Sequence, residues 1–222
     1  MTRAIVALAL AAASLAWTGG LHADEGGFHL RLGARALFGL RRDEGYFDHA
    51  RVFVESPSTS TRGAHLIGDP VPPAGGIVFE AGAEVVPRLS LMASFRTMTN
   101  GIKTGDDTRL SITSTAWLVD ARYAIVRAGS EPLLAQLELV AGTGRFSIRE
   151  ELVDRALFDG TKAQSATALG GRFGLDATLF LGPVGFVVGY AYDVAPASVH
   201  DRLGGSVDAS AHELTVGLAA RF

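Results

Sequence analysis

Cysteine is absent from all 222 residues. A disulfide framework, a thiolate metal site and a cysteine nucleophile are therefore excluded. Long apolar runs are missing too. The one near the start, Ala4 to Trp17, has 14 residues, short of the roughly 20 that a spanning helix needs. No tract of Lys and Arg is dense enough to follow a nucleic-acid backbone, so no nucleic-acid partner is expected. None of the six histidines has a partner at metal-ligand spacing, and His49 beside Asp48 is too little to make a site. No cofactor is implied by any motif.

What is present begins with an address. Arg3 precedes the apolar run, Gly19 and Gly20 break it, and "LHA" at 21–23 puts a small residue before a cut. This is the pattern of a cleaved export signal, residues 1–23. Its removal takes away one base and no acid, leaving 19 Lys and Arg against 23 Asp and Glu, a formal net charge of −4. Export to the periplasm, outer membrane or medium of a bacterium follows, with residues 24–222 as one β domain.

The remainder alternates. In "FHLRLGARALFGL", 28–40, Phe28, Leu30, Leu32, Ala34, Ala36, Phe38 and Leu40 share one face, and His29, Arg31, Gly33 and Arg35 the other. A period of two over that length predicts a strand. The same pattern predicts strands at 76–86, 89–97, about 108–123, 133–144, about 165–181, 184–192 and from about 210 to Phe222. In the fourth, Trp117, Val119, Ala121 and Tyr123 keep one parity while Leu110 and Ile112 take the other, which a bulge near Ser114 would reconcile. Tight turns are expected at "VPR" (86–88), "RAGSEP" (127–132) and "GP" (182–183), and long polar loops at 42–75, 98–107, 145–164 and 193–209. Eight strands with connections alternately long and short predict an antiparallel meander, one end clipped and the other bristling, as in a transmembrane β-barrel.

Alternation alone does not say which face is outside, and a soluble lipocalin-like barrel would bury its apolar face. Three features favour the inverted arrangement. Aromatics collect near strand ends on the apolar faces (Phe28, Tyr123, Tyr190, Tyr192, Phe222), as an interfacial girdle does. The polar faces are rich in Gly, Ala and Ser, which suits a narrow interior. Most of the strands reach the roughly 9–11 residues that cross a bilayer. The fold class is then all-β: an eight-stranded antiparallel up-and-down transmembrane β-barrel.

The last stretch, "HELTVGLAARF", alternates Leu214, Val216, Leu218 and Ala220 and stops on Phe222. It resembles the C-terminal signature of bacterial outer-membrane barrels, and the whole of 24–222 is similar to small eight-stranded barrels of the opacity-protein and OmpA transmembrane-domain type. The resemblance covers strands and turns, not loops. It implies an outer-membrane location in a Gram-negative cell and recognition of Phe222 as an assembly signal by the barrel-assembly machinery. The pattern often carries another aromatic two residues earlier, where this chain has Ala220. The implied partners are outer-membrane lipid and lipopolysaccharide, around a monomer.

Apolar-out alternation turns Arg31, Arg35, Glu80, Glu84, Arg96, Asp120, Arg122, Glu138, Arg172, Asp176, Glu213 and Arg221 inward. Six charges of each sign balance, as a packed lumen demands, because an unpaired buried charge costs several kcal/mol. The alternative is an ion path in a small porin, although eight strands leave room for little beyond side chains. Arg172 is expected to serve Asp176 or a cross-strand Glu. Catalytic chemistry has one candidate: Ser210 and His212 share a face at i, i+2, as a lipid A-modifying enzyme would use them, but no orienting acid is close in sequence. "SIRE", Ser147 to Glu150, fits a helix capping box, while Phe146 and Ile148 equally suit a longer fifth strand. The four long loops hold 14 acids, which could share divalent cations with lipopolysaccharide phosphates. Function is therefore expected to be structural or surface contact through the loops, with no catalytic residue.

Overall fold

The computed structural model describes residues 29–40, 74–104, 108–154, 160–200 and 206–222. The export signal, Phe28, His49 and most of the first long connection lie outside the described residues.

Alternating sequence gives strands throughout: β1 His29–Leu40, β2 Ala74–Val86, β3 Leu89–Thr104, β4 Thr108–Ser130, β5 Leu133–Asp154, β6 Gly160–Leu181 and β7 Val184–Val194. Two three-residue strands follow, β8 Ser198–His200 and β9 Ser206–Asp208, and the last is β10 Ala211–Arg221. Eight of them close a barrel in the order β1-β10-β7-β6-β5-β4-β3-β2, while β8 and β9 form a separate hairpin. Every barrel neighbour is antiparallel. Closure leaves no edge along the paired length, so the ladder satisfies the backbone without water. The seam is finished by the terminal residue: Phe222 donates to the Leu30 carbonyl at 2.9 Å and accepts from the Leu30 amide at 3.0 Å.

The tight turns fall at Pro87–Arg88, Glu131–Pro132 and Gly182–Pro183. Gly182 has φ 62°, which its missing Cβ permits, and Arg88 has φ 71°, an uncommon cost for a side chain.

Two expectations need correction, and one open alternative is decided. β4 and β5 run to 23 and 22 residues and β6 to 22, so the expected loops 98–107 and 145–164 are mostly strand. Of the two readings of "SIRE" the longer fifth strand holds and the capping-box helix does not form, since Phe146 and Ile148 extend β5 and bury their side chains in the interior. Nor is there a bulge at Ser114: β3 and β4 stay in register from Leu89↔Tyr123 to Thr104↔Thr108, and the irregularity lies at Ala124/Val126 on the β5 side. The parity change at Ile112 is instead real, since the interior changes from charged to apolar along β4.

That apolar interior is built by the β7–β10 connection. Residues 195–199 and Ala209, on the two legs of the β8–β9 hairpin, turn back over the inner faces of β4, β5 and β6. Ala195, Ala197, Val199 and Ala209 bury against Ile112, Ala116, Leu118, Phe146 and Ile148. Ser210 fastens the two legs, its hydroxyl accepting from the Ala195 amide at 3.0 Å and donating to the Ala195 carbonyl at 3.3 Å.

Candidate functional site

Between the tight turns and this lid, each inward position follows from strand parity, and the charged ones converge on the axis. Nearest the turns, Arg31 grips Glu138 bidentately, Nη1–Oε1 at 2.6 Å and Nη2–Oε2 at 2.8 Å, and donates to Ser90 at 2.9 Å. At the centre, two arginines and two carboxylates form a box. Arg35 reaches Glu80 at 2.6 Å and Asp176 at 2.8 Å, while Arg122 reaches the same two at 2.5 and 3.1 Å. Higher, Arg96 pairs with Asp193 and Glu213, and Arg172 approaches Glu213 at 3.4 Å. The Arg96 guanidinium also stands over the Phe146 ring at 5.1 Å, joining the charged layer to the apolar lid. Forked guanidiniums suit this role, since each can serve two carboxylates in fixed geometry.

Asp120, wholly buried, accepts from the Ser94 hydroxyl at 3.0 Å. Glu84 and Arg221 sit at the tight-turn rim, where Glu84 lies 3.9 Å from Arg221 and 3.5 Å from Arg127. Beside that rim, Leu134, Phe180, Val187 and Ala219 fill the β5–β6–β7–β10 side. Glycine makes the room at two positions. A Cβ on Gly142 would strike the Asp120 carboxylate, and one on Gly189 would strike Asp176 and Thr215.

Arg172 faces Glu213 rather than Asp176, which Arg35 and Arg122 hold. Asp193 falls in the stretch that composition assigns to loop, yet it lies on β7 and faces inward. Its signal was parity: Gly185, Val187, Gly189 and Ala191 all face inward, and Asp193 continues the series. Ser90, Ser94, Gln136, Thr178 and Thr215 are further inward polar residues without charge, on the same faces that alternation turns to the lumen.

Ser210 and His212 do not meet as a catalytic pair. The serine hydroxyl is spent on Ala195, and His212 Nδ1 shares a 2.7 Å hydrogen bond with the Tyr190 hydroxyl, its ring 4.5 Å from that of Tyr192. Among the described residues, no group of three or more His, Cys, Asp or Glu side chains could hold a metal ion.

Outside, the polarity is reversed. Leu30, Phe38, Leu91, Val119, Leu139, Phe173, Leu179, Phe186, Val188 and Leu218 stand exposed around the barrel wall. Trp117 packs on Phe95 at 4.5 Å toward the lid end, and Tyr123 lies beside the Pro87–Arg88 turn. An apolar wall with aromatics toward both ends, enclosing buried charge, is satisfied on both faces only by a bilayer. The chain is an eight-stranded antiparallel β-barrel whose apolar outer wall and charged interior suit it to span a membrane. No family model and no curated protein matches its sequence. Among solved structures it is similar to Ail, the attachment invasion locus protein of Yersinia pestis, there in complex with the heparin analogue sucrose octasulfate. Identity is 14%, TM-score 0.47, with 90% of this chain and 100% of that one covered. It is similar also to Neisserial surface protein A (14% identity, TM-score 0.44, 90% and 100% covered) and to the N-terminal β-barrel domain of Pseudomonas aeruginosa OprF (12%, 0.43, 89% and 100%). At such identities the likeness extends to fold alone, and the closure, register and polarity of this chain define its class without it.

Proposed function

We propose that this barrel is a closed membrane scaffold whose work is surface contact, done by the sheet and connections held at the lid end. The observation that carries the reading is the filling of the lumen. A paired charge network spans it, and an apolar lid lies over it, so among the described residues side chains occupy the space that a water path or a substrate would need. With the tight turns toward the periplasm, β3 to β6 lift their hairpins away from the lipid on the outer side, where contact loops usually sit on a rigid scaffold.

Planar-bilayer recording of the purified full-length barrel tests the closed lumen, with no stable conductance expected. A large, steady, water-filled conductance would move the protein to the small porins. Contact is tested by shortening the β3–β4 and β5–β6 hairpins to their membrane-spanning parts. Retention of whole bacteria on protein- and glycan-coated surfaces should fall while membrane yield stays. Equal retention would leave a scaffold role alone.

The rival enzyme reading has Ser210 and His212 as its candidates, and their separate partners argue against it. Mass spectrometry of lipid A with and without the protein should show the same acylation; acyl loss or transfer that vanishes in His212→Ala would establish the enzyme. Phe222 supports a role in assembly, since its main chain closes the seam and its side chain is half-exposed at the rim. Phe222→Ser should lower folded barrel in the membrane without impairing export, read by heat-modifiable gel mobility. Monomeric insertion in outer-membrane lipid belongs to the same reading.

A further inference from the structure

Across β3 to β6 the outward face changes character within three rows of paired residues. One row runs Phe95–Trp117–Arg145–Leu169. Its Trp117 and Leu169 are 65% and 77% exposed, Leu169 being the most exposed large hydrophobic among the described residues. Such side chains belong in lipid at the end of the apolar wall. Arg145 stands exposed between them, and it has no ion-pair or hydrogen-bond partner among the described residues. The next row, away from the tight turns, is Thr97–Thr115–Ser147–Thr167, and the one after it Thr99–Thr113–Arg149–Ser165. Hydroxyls bridge neighbouring strands in both: Ser147 to Thr167 at 3.0 Å and Thr99 to Thr113 at 3.1 Å. Toward the turns the next row is Ala93–Val119–Thr143–Gly171, with the Thr143 hydroxyl donating to the Gly170 carbonyl, and beyond it the face is apolar at Phe173 and Leu139.

From the lipid outward, this strip offers apolar wall, then one cation, Arg145, with no partner among the described residues, then two rows mostly of hydroxyls in which Arg149 is already held by Glu151 at 3.4 Å. An amphiphile that matches all three in order has acyl chains, a phosphate at the junction and a sugar beyond it. We propose that the outward face of β4, β5 and β6 binds a phosphorylated glycolipid of the outer leaflet, with Arg145 on its phosphate and the Thr/Ser rows against its saccharide. A phosphate there gives Arg145 a charge-assisted partner at a level where water is scarce and the pair is strong. Hydroxyls on a rigid sheet exchange hydrogen bonds with sugar hydroxyls at little cost in side-chain entropy. Phosphatidylglycerol offers the phosphate but no sugar ring of that breadth, so the hydroxyl rows are what would tell the two apart. The outer-membrane class is assumed, and failure of the barrel to insert would undo that class before it reached the site.

The test uses the purified full-length barrel in detergent micelles, its fold verified by heat-modifiable mobility. Bis-phosphorylated lipid A, dephosphorylated lipid A and phosphatidylglycerol are added separately and counted by native mass spectrometry. The wild type should retain one bis-phosphorylated lipid A and hold the other two more weakly. Arg145→Gln should cut that retention by about tenfold, the scale of one lost charge-assisted hydrogen bond, and Arg145→Lys should restore part of it. Ser147→Ala with Thr167→Val should lower lipid A retention and leave phosphatidylglycerol unchanged. Equal retention by wild type and Arg145→Gln overturns the proposal. So does equal binding of phosphatidylglycerol and lipid A unmoved by the hydroxyl variant, which would make Arg145 an ordinary interfacial cation.

Discussion

β4 is one strand in two environments, and its two halves are inside-out relative to each other. From Trp117 toward the turn it presents Trp117, Val119 and Tyr123 outward and Asp120 and Arg122 inward. From Ser111 to Ala116 it presents Ser111, Thr113 and Thr115 outward and Ile112 and Ala116 inward. β5 repeats the change, with Glu138 inside below and Phe146 and Ile148 inside above. The backbone does not flip; what changes is the surrounding solvent. In lipid an apolar side chain gains nothing by turning inward, and the polar groups are the ones that must find each other. Beyond the lipid, water is outside, the hydrophobic effect returns, and the lid alanines give Phe146 and Ile148 something to bury against. The lower half is thus held chiefly by paired charge, with one apolar cluster at the tight-turn rim, and the upper half by apolar burial.

Disrupting each half separately should tell them apart. The largest loss is expected from Glu80→Ala, which leaves Arg35 and Arg122 facing each other across the central box with Asp176 as their only shared carboxylate. A cost of about 3–5 kcal/mol is expected for an uncompensated buried charge, measured as an earlier urea midpoint of the refolded barrel. Trp117 is the natural probe, being the sole Trp after residue 23. A midpoint unchanged from wild type would mean that water replaces the carboxylate and the lower lumen is wet.

Phe146→Ala attacks the upper half. Loss of the ring beneath the lid should cost about 3 kcal/mol, at the lower end for a buried phenylalanine. It should loosen the lid while the membrane-spanning part stays folded. Hydrogen exchange should then rise at Ala195–Val199 and stay low at Leu134–Glu138. Exchange rising equally in both places would show the halves to be one cooperative unit.

Ser210→Ala is the smallest change, removing one hydroxyl that bridges the amide and carbonyl of Ala195. About 1 kcal/mol of lid stability should go, seen as faster exchange of the Ala195 amide alone. Faster exchange along the whole of β10 would instead place Ser210 in the barrel's own closure.

Parity was enough to read most of the wall. A period of two put Arg31, Arg35, Glu80, Arg122 and Asp176 on inner faces because side chains on a closed sheet have only two directions to take. Strand ends were harder to see. Thr, Ser and Arg at 97–104 and 145–154 look like loop by composition, yet they lie on strands because the hairpins leave the lipid and meet water on their outer face. Asp193 was lost for the same reason, as a polar residue beyond the last aromatic of β7.

Local order of the chain determined the strands, their inward and outward faces, the tight turns and the balance of charge, since each depends on neighbours one or two residues away. Only the tertiary structure decided which charges meet. Arg31 and Glu138 are 107 residues apart and Arg35 and Asp176 are 141 apart, and their meeting depends on how far each strand is shifted against the next around the closed barrel. The lid belongs to the same category. Nothing in "VAPASV" marks it as an inner wall until Phe146 and Ile148, on a strand far away in sequence, provide the apolar surface that makes it fold inward.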